Sequence, residues 1–153
     1  MSAVGDPHAF ALAVRWIHVA SMALVFGGAL LVLATAYGND DHGGQLAIAA
    51  AERYEWAFWF AIGLLAMTGV GNLAAFGASL PSPSTPWGTT FELKLVAVVA
   101  IAVLSVPRTL AIAMFATTQP ASARARETLL TLYGLTVIAL ALVLALAIRL
   151  AHG

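Results

Sequence analysis

Cysteine is absent from this chain, and charged residues are scarce. The lack of cysteine excludes disulfides, thiolate metal sites, covalent c-type haem attachment and thiol catalysis. Charged residues make up 9% of the 153 residues, whereas a soluble domain carries roughly 25%. Because 61% of the residues are hydrophobic and mean hydropathy is +0.93, the chain cannot cover itself with polar surface. It is therefore predicted to be an integral membrane protein with the lipid bilayer as its main partner.

Other features are also missing. The formal net charge is zero, which gives no electrostatic basis for binding nucleic acid. There is no phosphate loop, serine nucleophile motif or paired-carboxylate site. Whether the chain is an enzyme is left open, and redox chemistry at a cofactor is the only catalytic possibility that the residues suggest.

Four apolar segments are long enough to span a bilayer, which requires about 20 residues. They predict helices over about 10–37, 56–76, 89–106 and 129–151, the third ending where Pro107 and Arg108 interrupt it. The predicted fold is all-α: one four-span transmembrane domain over 1–153, packed as a four-helix bundle. The first segment is expected to be retained rather than cleaved, because no Lys or Arg precedes it within the first fourteen residues.

Four spans place both termini on the same side of the membrane. The first and third loops are assigned Arg53, Arg108, Arg124 and Arg126, and the opposite side is assigned Arg15, Lys94 and Arg149. The positive-inside rule then puts those two loops in the cytoplasm. The prediction is a multi-pass protein of the cytoplasmic (inner) membrane with both termini on the outer, periplasmic side.

This topology gathers polar residues in the outer half of the membrane. His18 lies eight residues into the first predicted helix, roughly 12 Å deep. The other helices contribute Asn72, Glu92, Lys94, Arg149 and His152 at the same side. The inner half is predicted to be almost purely Leu, Val, Ile and Ala. Since ionisable groups inside a membrane are costly, their convergence indicates a functional polar site.

Structural alternatives exist for each of these residues. Arg15, Lys94 and Arg149 could extend to the membrane interface. His18 could be a hydrogen-bonded structural histidine, and His152 an exposed tail residue. On the opposite side, the segment Asp40-Asp41-His42 is predicted to be a solvated turn rather than a metal site.

A buried neutral imidazole suits iron or copper. A haem b would use His18 as an axial ligand, with Arg15 placed to meet a propionate. Space for a flat macrocycle could come from Gly69, Gly71, Ala74 and Ala75, which could equally serve close helix packing. Copper would require methionines beside His18, and Met22 shares its helix face.

The second axial position is predicted to be filled by Lys94, which enters from the same side on another helix. The alternative is that a charged Lys94 pairs with a propionate, a role for which Arg15 and Arg149 compete. His18 and Lys94 are therefore both predicted as ligands of the same metal site.

Three stretches together resemble the CopD-like membrane proteins. They are RWIHVASMALVFGGALL (15–31), AFWFAIGLLAMTGVGNLAAF (57–76) and TPWGTTFELKLVAVVAIAVLSVPR (85–108). The shared features are Arg15, His18, Gly27-Gly28, Thr68-Gly69-Val70, Trp87-Gly88, Leu93-Lys94-Leu95 and Arg108. The layout is also similar to HemJ, a four-helix, haem b-associated protoporphyrinogen oxidase that relies on an intramembrane His and Lys. Both resemblances imply a four-helix membrane unit with His18 on the first helix and Lys94 on the third.

The predicted function is that of a b-type haem protein. It would pass electrons between the quinone pool, or a partner complex, and an acceptor on the outer side. The alternatives are a copper-handling CopD-like protein, a HemJ-like oxidase, and a cofactor-free structural subunit of a larger membrane complex. Each of these functions is compatible with a homo-oligomer or with a periplasmic redox partner.

Overall fold

The computed structural model describes residues 7–38, 41–74, 82–118 and 122–152, and the side chains of these residues except 7, 41–43 and 72–74. The described residues form four α-helices and no strand. They are α1 (Pro7–Ala36), α2 (Asp41–Ala74), α3 (Pro86–Thr118) and α4 (Ala123–His152). The all-α prediction is confirmed.

The helices differ from the predicted ones mainly at their loop ends. α2 begins at Asp41 rather than near residue 56, and α3 continues through Pro107 to Thr118. A proline inside a membrane helix is tolerated where other groups satisfy the freed backbone atoms. α4 begins six residues earlier than predicted, because Ser122 caps it: its hydroxyl oxygen accepts a hydrogen bond from the Ala125 N–H at 3.1 Å.

Three of the described helices, α1, α3 and α4, are long and apolar enough to cross a membrane. α2 is more polar, since its first half carries Glu52, Arg53 and Glu55. Large apolar side chains are exposed on the outer faces of all four helices, including Phe10, Trp16, Leu31, Phe60, Val103 and Leu142. This distribution is that of a protein whose outer surface contacts lipid.

Each helix packs against two others, in the cyclic order α1, α2, α3, α4. Consecutive helices run antiparallel, since His18 contacts Thr68 while Val25, further along α1, contacts Tyr54. We call the end with the chain termini and the α2–α3 connection the terminal side, and the opposite end the loop side. α1 and α3 therefore face each other diagonally across the interior, with at most marginal contact between their described residues.

Tyr54 couples α2 to α1 at a glycine. Its hydroxyl donates to the Val25 carbonyl at 3.1 Å, and its side chain is buried. A Cβ added to Gly28 would lie 2.6 Å from Tyr54 Cδ2, whereas a Cβ on Gly27 would meet nothing within 4 Å. The ring can pass α1 only because residue 28 has no side chain.

Substituting Gly28→Ala should therefore destabilise the protein by about 1–3 kcal/mol, the usual cost of overpacking. The anchored Tyr54 ring cannot move aside without losing its hydrogen bond. The free energy of unfolding in detergent micelles measures the effect, and Gly27→Ala is the matched control with no expected loss. Equal stability of the two variants would contradict this close packing.

Candidate functional site

His18 is half-buried on α1 and contacts α2 through its ring. Its Nδ1 lies 2.8 Å from Thr68 Oγ1, and Thr68 Oγ1 lies 2.6 Å from the Leu64 carbonyl oxygen. A hydroxyl has one hydrogen, and the two oxygen atoms of Thr68 and Leu64, 2.6 Å apart, must have a hydrogen between them. Thr68 therefore donates to Leu64, and its oxygen accepts the Nδ1–H of His18.

This bond fixes the tautomer of His18, so Nε2 carries the lone pair. Nε2 makes no hydrogen bond to any of the described residues. A histidine that binds a metal typically donates its other ring N–H to an oxygen acceptor, which orients the ring. His18 thus has the hydrogen-bonding arrangement of an axial ligand, and this donor fits haem or another imidazole-bound metal.

Lys94 is half-buried on α3, diagonally across from His18. It makes no hydrogen bond to a described residue. Glu92, two residues away, is exposed and so does not share its face. The two predicted ligands are thus half-buried on diagonal helices in the terminal-side part of the bundle.

The other predicted site residues lie further out. Arg15 and Arg149 are exposed on the terminal side. His152 is exposed, and its Nδ1 lies 2.9 Å from the Ile148 carbonyl of its own helix. Asn72 belongs to α2, but its side chain lies outside the described residues.

The small residues suggested to accommodate a macrocycle divide into two kinds. A Cβ on Gly69 would meet nothing within 4 Å, so open space surrounds this position. A Cβ on Gly71 would lie 3.5 Å from Val14 Cγ1, which is ordinary packing against α1. The side chain of Ala74 and all of Ala75 lie outside the described residues.

Copper ligands are not assembled beside His18 in the described part of the chain. Met67 and Met114 are exposed, and Met22 is half-buried. No group of three or more His, Asp or Glu residues with metal-binding geometry occurs among the described residues. Asp40 and the side chains of Asp41 and His42 lie outside them.

A second polar cluster, which the sequence analysis missed, lies deeper in the interior. Glu55 of α2 and Arg108 of α3 form a buried ion pair with two bonds, Nε to Oε1 at 2.8 Å and Nη2 to Oε2 at 3.2 Å. Arg108 also donates to Thr136 Oγ1 at 2.9 Å. Glu55 accepts further bonds from Thr109 at 2.5 Å and from the Tyr133 hydroxyl at 2.6 Å. We call these five residues the Glu55 network.

Aromatic rings enclose the guanidinium of this network. The Arg108 Cζ atom lies 4.5 Å from the Phe58 ring centroid, 5.3 Å from Tyr54 and 5.2 Å from Tyr133. Such cation–π contacts are strongest where the cation is desolvated. Through Tyr54 and its bond to Val25, the contacts extend to all four helices.

The Glu55 network corrects three predictions. Arg108 was assigned to a loop, but it is buried within α3, and its partner Glu55 is buried within α2. The interior beyond His18 is therefore not purely aliphatic. In addition, Arg108 no longer counts among the loop cations. The spacing of Lys94, Ile101, Ser105, Arg108 and Ile112, in steps of seven, four, three and four residues, could have revealed one continuous interior face on α3.

No family model, curated protein or solved structure matches the chain.

Proposed function

We propose that the protein is a membrane-embedded b-type haem protein that passes electrons between the quinone pool, or a partner complex, and an acceptor on the outer side. The observation that carries the proposal is the geometry of His18. Thr68 orients its ring and leaves the Nε2 lone pair without a partner among the described residues. A bound haem b supplies reversible one-electron exchange at its iron. The proposal agrees with the resemblance to CopD-like and HemJ-like proteins.

The residues of this chain have distinct roles in the proposal. His18 would hold the iron through Nε2, and Lys94 on the diagonal helix would supply the second ligand. Coordination by Lys94 would require the neutral amine, because the lone pair of the nitrogen must be free to bind the metal. Arg15 and Arg149, both exposed on the terminal side, pair with propionates, and Asn72 completes the polar region.

The spectrum of the purified protein tests the proposal. A Soret band that shifts on reduction, with about one haem per chain or per pair of chains, is expected. Metal analysis of the same sample tests for copper. A colourless, metal-free and folded protein would overturn the proposal and favour a cofactor-free structural subunit, a role that the fully hydrogen-bonded Glu55 network would also suit.

Lys94→Met tests the second axial position. If Lys94 binds the iron, replacing its amine with a thioether should change the spin state or reduction potential, measured by absorption spectra during a redox titration. Arg124→Met, which removes an exposed cation on the loop side and outside the proposed site, is the control and should leave the spin state and potential unchanged. An unaltered low-spin spectrum and potential in Lys94→Met would remove Lys94 from the coordination sphere.

The proposal places the four helices in the cytoplasmic membrane with both termini outside. Without Arg108, the loop side retains Arg53, Arg124 and Arg126. On the terminal side, Arg15 and Arg149 are exposed, whereas Lys94 is half-buried among the helices and is not a flanking charge. The remaining bias of cations still favours a cytoplasmic loop side.

Cysteine labelling decides this orientation, because the natural chain has no cysteine. In intact cells, Ser84→Cys should react with a membrane-impermeant maleimide added outside, and Ser122→Cys should react only after permeabilisation. Ser84 belongs to the α2–α3 connection, and Ser122 precedes α4 on the opposite side. The reverse pattern would invert the topology.

A further inference from the structure

Between His18 and the Glu55 network lie two buried serines on diagonal helices. Ser21 of α1 is 5% exposed, and Ser105 of α3 is 4% exposed. Ser21 lies about one turn from Val25, whose carbonyl binds Tyr54, and Ser105 lies about one turn from Arg108. The two serines are therefore at a similar depth, each on the terminal side of the Glu55 network.

Neither serine hydroxyl is hydrogen-bonded within the described part of the chain. The threonines of the interior differ, since Thr68 and Thr136 donate to carbonyls of their own helices and Thr109 donates to Glu55. Among the described residues, every fully enclosed side-chain nitrogen or oxygen has a partner. The hydroxyls of Ser21 and Ser105 are therefore not fully enclosed by protein atoms and border space that water can occupy.

The packing of the helices makes room for such space. Neighbouring helix axes in proteins typically lie about 8–10 Å apart, so the diagonal axes of four helices in a square arrangement are separated by roughly 11–14 Å. A serine oxygen reaches about 4–5 Å from its helix axis, so two facing serines leave a gap of up to about 5 Å, which a bridging water can fill. A buried hydroxyl without a partner is costly, and ordered water is the usual solution in a polar cavity.

Towards the terminal side, further polar residues lie on the same helix faces as the two serines. Lys94 precedes Ser105 by eleven residues, about three helical turns, and so shares its face. On α1, His18 lies three residues from Ser21. Beyond the Glu55 network, the loop-side interior is apolar, with buried Val32, Ala36, Ala47, Ile48, Ile112 and Leu129.

We propose that the terminal-side half of the interior is a water-filled half-channel that runs from His18 and Lys94, past Ser21 and Ser105, to the Glu55 network. It admits water and exchangeable protons from the terminal side as far as the Glu55 carboxylate. The apolar loop-side half is dry and closes the path. The half-channel is a property of this chain's own side chains and does not depend on a bound haem.

Deuterium exchange at single engineered thiols tests the proposal, with D2O as the probe. The S–H stretching band lies in a clear infrared window, and the natural chain has no other thiol. Ser21→Cys and Ser105→Cys probe the half-channel. Val32→Cys and Ile112→Cys are the matched controls, because they are equally buried and lie three and two turns along the same faces towards the loop side.

The S–H bands of Ser21→Cys and Ser105→Cys should disappear in D2O at least tenfold faster than those of the two controls. Equal, slow exchange at all four positions would overturn the proposal. Equal, fast exchange would also overturn it, since the loop-side half would then be wet. The haem spectrum of the same samples reports separately on the proposed function, so the two ideas can fail independently.

Discussion

Replacing Arg108 with alanine is expected to destabilise the protein by about 3–5 kcal/mol, because the Glu55 carboxylate would remain buried without its cation. Arg108 and Glu55 are 2% and 4% exposed, so the carboxylate would lose both bonds to the guanidinium in a largely desolvated position. The substitution also removes the cation from the rings of Tyr54, Phe58 and Tyr133. Unfolding in mixed detergent micelles, followed by circular dichroism, measures the loss.

Two further variants show whether the ion pair itself is responsible. Arg124→Ala removes an exposed arginine and should change stability by less than about 0.5 kcal/mol. The double variant Glu55→Gln/Arg108→Met removes both charges while keeping most of the volume, and should recover part of the loss. A single Arg108→Ala variant as stable as Arg124→Ala would show that the charges of the network do not hold the helices together.

His18→Ala should abolish haem binding while leaving a folded, extractable protein. The side chain is only half-buried and makes one hydrogen bond, to Thr68, so its loss costs little stability. Without the imidazole, the iron would lose the strongest of its proposed bonds to the protein. The absorption spectrum of the variant, compared at equal protein concentration, measures the effect.

Thr68→Val and His152→Ala are the companion variants. Thr68→Val preserves His18 but removes the acceptor of its Nδ1–H, so haem content should fall or the reduction potential should shift. His152→Ala should have no effect, since that side chain is exposed and bonded to its own helix. An unchanged spectrum in His18→Ala would make His18 a structural histidine.

The presence of the four helices could be predicted because a long run of apolar residues is visible in the sequence without any knowledge of tertiary contacts. Their ends could not, since a run of apolar residues does not show how far a helix continues into polar sequence. Pro107 and Arg108 look like a terminus when considered alone. They lie inside α3 because Glu55, 53 positions earlier in the chain, neutralises the arginine.

The same limitation applies to the site. His18 and Lys94 were predictable as intramembrane ionisable residues because each lies within an apolar stretch, and their role as metal ligands stays a prediction. The partner of His18 was not, because Thr68 is a common residue whose role depends on how α2 packs against α1. Tyr133 and Thr136 acquire their roles only when α4 brings them to Arg108 or Glu55.

The position of the ion pair on two separate helices constrains how the protein enters the membrane during synthesis. α2 is made before α3, so Glu55 reaches the translocon well before Arg108 exists. A charged residue at the centre of a lone helix costs about 2.5–3.5 kcal/mol to insert on translocon scales. α2 should therefore wait at the edge of the translocon until α3 emerges, and the two should enter the lipid together. A nascent chain that stops before Arg108 should leave α2 only partly integrated, and glycosylation mapping of truncated chains can reveal this delay.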